Sequence, residues 1–475
     1  MRRTKIIATI GPATDTPEVL DQLIAAGTDV VRINFSHGDW VEQKRCIELV
    51  RELSAKHGRY VAILGDLQGP KIRIRRFADS QVELKEGQSF VLDSALGHDD
   101  GTAEQVGVAY VGLVDDVDVG DTLLLDDGHL NMLVESTEGT RIVCSVVVGG
   151  ILGNNKGINR HGGGLSAPAL TDKDREDILH AAEADIDWLA VSFVRNADDM
   201  HEARKLLRDA GGKGYLVAKI ERHEAIENLD PIIDASNAVM VARGDLGVEI
   251  GYASLTGLQK KIIRHARQRH KVAITATQMM ESMTSSQIPT RAEISDIANA
   301  VMDGTDAVML SAETAVGEFP VKAVETMAEI CVGAEAYKLT SNKMRRDDGR
   351  YDYIDQAIAM AVMHTATHMD VNALIAMTES GSTALWMSRI RSDIPIYAFS
   401  RQIQTLRRIA LYRGVFPVLF DAPPARGDDL YNQLFERLLE LKKVEEGDLV
   451  VFTKGDMRGV AGGTNAMTIL RVTGQ

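Results

Sequence analysis

Cysteine is scarce in this chain: only Cys46, Cys144 and Cys331 occur among 475 residues, far apart and without metal-ligand spacing. That excludes a disulfide framework and a cysteine metal centre, and it leaves three apolar or idle thiols suited to a reducing compartment. Aromatic residues make up only 5 %. No run approaches the ~20 apolar residues that a membrane helix needs, so no membrane partner is expected. Positive charge is in deficit, with 53 basic against 68 acidic residues and a formal net charge of −15. That balance argues against nucleic acid as the main partner, although a local basic cleft can still hold a small anion. The opening MRRTKIIATIGP is basic and then apolar, but its apolar stretch is too short for an export signal, so the expected location is cytoplasmic. Nucleotide-binding glycine loops of the GxxxxGK[ST] type, or of the strand-borne GxGxxG type, are missing too.

What is present is a rhythm. Short, nearly continuous apolar runs recur at Thr4–Ile10, Asp29–Ile33, Tyr60–Leu64, Asp187–Phe193, Tyr215–Ile220, Ala238–Val241, Val272–Thr275 and Asp306–Leu310. Such runs suit strands covered on both faces. Between them lie amphipathic segments such as Asp39–His57, Lys173–Ala184 and Ala197–Ala210, and Pro289 and Pro320 mark helix starts. Eight strand–helix units in succession predict an α/β protein built on a (β/α)8 TIM barrel, with an open doubly wound sheet as the rival.

Between Asp66 and Pro168 the pattern changes to β-type alternation with Gly and Asp turns, which predicts a small all-β lid domain inserted after the third strand. From about Met344 the chain begins again with helices and strands in alternation, a C-terminal three-layer α/β domain. The expected boundaries are 1–70 and 169–343 for the barrel, 71–168 for the lid and 344–475 for the last domain, with Ser341–Arg350 as linker.

In a barrel, polar residues just past the C-terminal ends of the strands face the active site. Here the strand ends read Arg32-Ile33-Asn34-Phe35-Ser36-His37, Asp66, Lys219-Ile220-Glu221, Arg243-Gly244-Asp245, Thr275-Ala276-Thr277-Gln278 and Ser311-Ala312-Glu313. One buried charge at a strand end is an ordinary structural ion pair, but six charged or polar strand ends around one axis call for a ligand. Glu221 and Asp245 can hold a hard divalent ion, while Arg32 and Lys219 supply positive charge, with Arg73 and Lys156 on the lid. Cations beside a carboxylate-bound Mg²⁺ are the parts of a phosphoryl-transfer site. A Mg²⁺-dependent enolate lyase or aldolase would use the same carboxylates, and a metabolite-binding regulator with a dead site is the third reading. The cations on the lid favour phosphoryl transfer over the lyase.

Longer strings then carry a resemblance. TKIIATIGPAT, VVRINFSHG, GDLQGPKIR, NNKGIN, AKIERHEAI, MVARGDLGVEI, TATQMMESM, PTRAEISDIANAV and DGTDAVMLSAETAVGEFP resemble pyruvate kinase in order, with MTESGST and TKGD in the last domain. The resemblance implies that phosphoenolpyruvate and ADP are converted to pyruvate and ATP, and that Glu221 and Asp245 bind Mg²⁺, with Mn²⁺ as an alternative. It implies that Arg32, Lys219, Gly244, Asp245 and Thr277 hold phosphoenolpyruvate. Arg32, Lys219 and Thr277 would be catalytic, and Asn34, Phe35, Ser36, His37, Arg73 and Lys156 would face the nucleotide. A K⁺ site would comprise Asn34, Ser36, Asp66 and the carbonyl of Leu67.

One departure bears on that site. Family members that need K⁺ tend to have Thr-Lys-Gly-Pro-Glu after the aspartate, whereas here the run is Leu67-Gln68-Gly69-Pro70-Lys71. Lys71 would place a fixed ammonium where the others carry a glutamate, so K⁺ is expected to be dispensable. The run Asn159–Gly164 also departs from a common Leu-Pro-Gly and points to altered lid-hinge flexibility. In the last domain, Thr378, Glu379, Ser380, Gly381, Ser382 and Thr383 precede a helix, and the resemblance implies a phosphorylated effector there, with Lys454 and Arg458 closing over it. It also implies a homotetramer.

Overall fold

The computed structural model describes residues 1–337, 351–421, 428–455 and 462–473; the expected linker Ser341–Arg350 and Arg458 lie outside these. Eight parallel strands close into a barrel: Lys5–Thr9, Val30–Asn34, Ala62–Asp66, Trp188–Val191, Tyr215–Ile220, Ala238–Ala242, Val272–Ala276 and Ala307–Leu310. The first pairs with the eighth, Lys5 opposite Ala307 and Ala8 opposite Leu310, so the open doubly wound sheet is excluded. Residues alternate in side as strand geometry requires. Ile6, Val31, Ile63, Ala218 and Val239 join the cluster beneath the outer helices. Ile7, Val30, Leu64, Trp188, Val217, Met240 and Ile274 fill the interior.

Helix ends are fixed by side chains that satisfy otherwise unpaired backbone N–H groups. Helix Asp172–Glu183 opens on a capping box between Thr171 and Asp174. Helix Arg291–Asp303 opens on one between Thr290 and Glu293. Pro289 therefore precedes the cap and does not begin the helix, because the Thr290 hydroxyl and the Glu293 carboxylate already define the first turn. Pro320 does occupy the first turn of helix Pro320–Ala336, where its missing N–H costs nothing.

The lid follows the third strand. Its main sheet runs in the order Ile158–Arg160, Thr122–Leu125, Leu130–Glu138, Arg141–Val148, Ser89–Asp93, Gln105–Gly107, and Gln81–Leu84 pairs separately with Gly150–Gly153. Phe90, Leu92, Leu125, Met132 and Val146 form its own core. The last domain is a five-stranded sheet ordered Val415–Leu419, Ile396–Ser400, Ala373–Met377, Leu449–Lys454, Ala466–Arg471, with only the last strand antiparallel. This domain closes the bottom of the barrel: Tyr412 and Ile409 join the barrel's interior cluster, and Tyr412 meets Trp188 edge-on at 6.4 Å between ring centroids. The opposite, C-terminal ends of the strands stay open beneath the lid.

Candidate active site

Alternation decides which strand-end side chains look into the barrel mouth. Val30 and Val217 point inward, so Arg32, Asn34, Lys219 and Glu221 do as well. Their centre is Asp66, whose side chain is 1 % exposed and lies between two cations. Arg32 donates from Nε to its Oδ2 at 2.7 Å, and Lys219 Nζ stands 3.2 Å from Oδ1. Burial alone would raise the Asp66 pKa, but Lys219 and Arg32 outweigh it and hold the carboxyl below its ordinary value.

Lys219 also pairs with Glu221 at 2.9 Å and donates to the Ser192 hydroxyl at 2.7 Å. Burial disfavours its ammonium, yet Asp66 and Glu221 raise its pKa well above the ordinary lysine value. It is a permanent cation, 12 % exposed, at the floor of the mouth. Glu221 accepts the Phe193 N–H at 2.7 Å through its other oxygen. Its pKa is raised by burial and by the nearby Asp245, against the pull of Lys219.

Arg243-Gly244-Asp245 does not extend the sixth strand. The strand ends at Ala242, and helix Arg243–Ile250 begins at once. The three side chains therefore do not share a strand face. Arg243 turns away and is tied to Asp296 at 2.5 Å and to the carbonyls of Ala276 and Thr277. Gly244 donates its N–H to Thr277 Oγ1 at 2.9 Å, and that hydroxyl donates to the Ala276 carbonyl at 2.7 Å. Thr277 and Gln278 hold φ of +66° and +51°, a left-handed conformation that costs non-glycine residues and clusters at functional sites. Glu313 also stays out of the mouth: its two oxygens accept the Met280 and Ser311 N–H groups at 2.9 and 2.7 Å.

Lid and barrel meet through Lys71. Its ammonium is 2.9 Å from Asp245 and 3.7 Å from Asp127 on the lid. Burial opposes the charge and Asp245 restores it, leaving the Lys71 pKa above its ordinary value. Lys156 is not a free cation but pairs with Asp126 at 2.8 Å, and exposed Arg73 donates to the Asn155 carbonyl at 2.9 Å. The Asn34 amide oxygen accepts the Ser36 N–H at 3.1 Å, Phe35 is buried and His37 is exposed. The Leu67 carbonyl accepts the Ser192 hydroxyl at 2.7 Å.

Sequence reasoning missed Ser192 and Thr9. Both occupy inward positions, and Thr9 Oγ1 accepts from Arg32 at 3.2 Å while Ser192 links Lys219 to Leu67. Extending the inward parity two residues past Ala190 and Ile7 would have found them.

Models of known families settle what this geometry belongs to. The pyruvate kinase barrel domain matches residues 1–324, and the pyruvate kinase alpha/beta domain matches residues 356–470. The chain belongs to the pyruvate kinase family. It is 52 % identical over 476 residues to pyruvate kinase II of Salmonella typhimurium, covering 99 % of each chain. It is 50 % identical to the pyruvate kinase of Buchnera aphidicola from Schizaphis graminum, across 100 % of this chain and 99 % of that one. The Haemophilus influenzae pyruvate kinase is also 50 % identical, with 96 % of each covered. As a member of the pyruvate kinase family it is a phosphotransferase. Among the described residues no helix is long and apolar enough to cross a membrane.

The C-terminal domain carries a second cleft, lined among others by Thr378, Ser382, Thr383, Arg401, Lys454 and Thr464. Gly381 turns the loop with φ of +91° and donates its N–H to Thr378 Oγ1 at 2.8 Å. Ser380 and Ser382 hydroxyls lie 3.3 Å apart, and Thr383 meets Thr464 at 2.7 Å. Glu379 faces Gln402 at 2.9 Å and Arg401 at 3.5 Å.

Proposed function

We propose that the chain transfers the phosphoryl group of phosphoenolpyruvate to ADP, giving pyruvate and ATP, at the barrel mouth around Asp66. The observation that carries this reading is the pair of permanent cations, Arg32 and Lys219, held on one buried carboxylate. A phosphoryl group in flight spreads negative charge over its oxygens, and fixed cations in a site of low dielectric stabilise it without reorganising.

Glu221 and Asp245 are the residues that would hold Mg²⁺, or Mn²⁺ in its place. They fit: each is a hard oxygen donor, and the Glu221 carboxyl, raised first by burial and then by the nearby Asp245, is a charge that a divalent cation would stabilise. When bound, the ion supplies Lewis-acid stabilisation of phosphoryl and enolate oxygens. Two carboxylates leave the remaining positions to substrate oxygens and water.

The chain's own residues do the rest. Arg32, together with the Gly244–Thr277 turn, binds and orients phosphoenolpyruvate. Lys219 neutralises charge on the phosphoryl group and on the enolate oxygen. The Thr277 hydroxyl, released from the Ala276 carbonyl, relays a proton from water to the enolate carbon, taking the water's proton as it gives up its own, so that hydroxide is left to the solvent. Asn34, Phe35, Ser36, His37, Arg73 and Lys156 face ADP, and the lid closes over it to keep water from the phosphoryl donor.

K⁺ is dispensable in this reading. Its expected ligands are satisfied within the chain, the Leu67 carbonyl by Ser192 and Asp66 by Arg32 and Lys219. Lys71 adds a fixed ammonium beside Asp245. A sugar phosphate or nucleotide monophosphate activates the enzyme from the loop 378–383. The active form is a cytoplasmic homotetramer, across whose interfaces the effector biases the barrel sites.

A coupled assay of ATP formation from phosphoenolpyruvate and ADP tests the whole reading. With Mg²⁺ in tetramethylammonium buffer, ATP should form and chelation should stop it. No ATP with Mg²⁺ and K⁺ both present would rule the reading out.

A further inference from the structure

Where the underside of the barrel meets the C-terminal domain, the chain gathers arginines. Arg3 comes from the N-terminal segment and Arg267 from the last turn of helix Tyr252–Gln268. Arg389 and Arg391 follow helix Ser382–Ser388, and Arg413 sits in the turn before strand Val415–Leu419. The carboxylates nearby can be assigned one by one. Asp306 is taken by Arg389 in a two-point ion pair that is almost wholly buried. Glu335 takes Arg413 at 3.3 Å, and Asp393 takes Arg3. Asp303 takes Lys260 at 2.5 Å.

Once these are assigned, Arg267 and Arg391 have no carboxylate partner among the described residues. Arg267 reaches only the Arg389 carbonyl, at 3.3 Å, and Arg391 only the Met302 carbonyl. Arg391 Nε is buried without any hydrogen-bond partner. The two guanidinium groups also meet beside Gly304. A Cβ on Gly304 would stand 2.6 Å from Arg391 Nη2 and 2.8 Å from Arg267 Nη1, so the two nitrogens are near neighbours. Burial first, then Arg391 and Arg389 and more weakly Arg413, lower the Arg267 pKa to about 10 against the pull of Asp306.

A structural explanation has to be weighed first. Both groups lie at the C-terminal end of helix Arg291–Asp303, where the helix dipole favours cations. That end offers about half an elementary charge, against two full ones. Asp303 and Asp306 add attraction from a distance, but each is held by another cation, Lys260 or Arg389, so neither gives these two arginines an ion pair.

Two forked donors side by side can share one phosphate, each guanidinium giving two parallel N–H bonds to its oxygens. Neither group is fully buried, so the groove is open to solvent. We propose that Arg267 and Arg391 bind a phosphate dianion, free or as a monoester, in the groove between the barrel and the C-terminal domain. This site is at the opposite end of the barrel from Lys219, and at the opposite end of helix Ser382–Ser388 from the loop 378–383. It does not depend on the function assigned to either.

Equilibrium dialysis of the assembled enzyme against radiolabelled inorganic phosphate tests the proposal. Wild type is compared with the double variant R267M/R391M, because phosphate also reaches other sites and the difference is the readout. The double variant should bind one phosphate fewer per chain. Exchanging chloride for phosphate at fixed ionic strength should also raise its melting temperature less than that of wild type. In phosphate-free, low-salt buffer it should melt no lower than wild type, since a repulsion has been removed. Competition by a sugar monophosphate at lower concentration than inorganic phosphate would assign the monoester, and its failure would assign free phosphate. Equal stoichiometry in the two proteins would overturn the proposal, as it would if a neighbouring subunit's carboxylate fills the groove. Melting several degrees lower without phosphate would also overturn it, because the arginines would then be structural cations of the helix end.

Discussion

Lys71, on the outgoing leg of the lid, and Asp245, in the first turn of the helix after the sixth barrel strand, lie 2.9 Å apart. An ammonium held there faces the same carboxylate that would receive the divalent ion. It places a fixed positive charge at the mouth that other members of the family are expected to obtain from K⁺.

The consequence is measurable. Replacing Lys71 by Glu puts a second carboxylate beside Asp245, and at an effective dielectric of ~20 a pair of unit charges about 4 Å apart is worth about 4 kcal/mol. In tetramethylammonium buffer the K71E enzyme should lose at least tenfold in kcat and regain most of it on addition of K⁺. Wild type should change less than twofold between the two buffers. A wild-type enzyme with a strict K⁺ requirement would refute the role given to Lys71.

Lys219 is the cation with the most to lose. It neutralises Asp66 and Glu221 and stands at the floor of the mouth. Removing one preorganised charge of this kind costs about 10²–10³ in kcat. K219M should fall at least that far while its KM for ADP moves less than threefold, because the nucleotide residues lie elsewhere. A melting curve belongs with the kinetics, since two buried carboxylates then keep only Arg32 between them. A K219M variant with more than a tenth of wild-type kcat would remove Lys219 from the chemistry.

The strand ends show how far the residues alone could be read. Alternation gives Arg32, Asp66, Lys219 and Glu221 because each continues the inward parity of a strand with a plain apolar run. The same rule misplaces Asp245 and Glu313: parity with Val239 and Val241 would turn Asp245 outward, and parity with Ala307 and Met309 would turn Glu313 inward. Both stand where the chain has already turned into a helix, so parity no longer applies; Asp245 meets Lys71 at the mouth, and backbone N–H groups claim Glu313. The lid cations are a matter of partners. Lys156 reads as free in the sequence because Asp126, thirty residues away, is brought beside it only by the pairing of Ile158–Arg160 with Thr122–Leu125.

Glu249 makes the hinge of the lid sensitive to pH. It is 2 % exposed, accepts the His223 N–H at 2.9 Å and faces Asn159 of the lid at 3.5 Å. Burial pushes its pKa from 4.5 up to about 7, with Glu224 adding to the shift and the His223 N–H and Arg222 opposing it. The native state therefore keeps a proton that the unfolded chain releases between about pH 4.5 and 7. Stability from this group is full below pH 4.5 and is lost as pH rises to 7, by about 3 kcal/mol in all. E249Q should remove that slope. Urea midpoints at pH 5 and pH 8 would show it, and an unchanged difference between the two pH values in the variant would contradict it.

The effector loop gives the last prediction. Ser380 and Ser382 hydroxyls stand side by side at the head of helix Ser382–Ser388, with Thr378 holding the Gly381 turn. The one carboxylate of the loop, Glu379, is drawn aside by Gln402 and Arg401. The loop therefore presents hydroxyls and backbone N–H groups, a surface that accepts an anion and rejects a second negative charge. An Asp at position 380 would put a carboxylate where the phosphate is expected, and a like-charge pair at close range costs several kcal/mol when partly desolvated. S380D should abolish activation by sugar phosphates and nucleotide monophosphates, at least a hundredfold in the activating concentration. Its kcat at saturating phosphoenolpyruvate should match wild type, because among the described residues the loop's hydrogen bonds and ion pairs stay within the last domain. If S380D responds to every such metabolite as wild type does, the activator binds elsewhere, and the arginine groove at the other end of the same helix becomes the place to look.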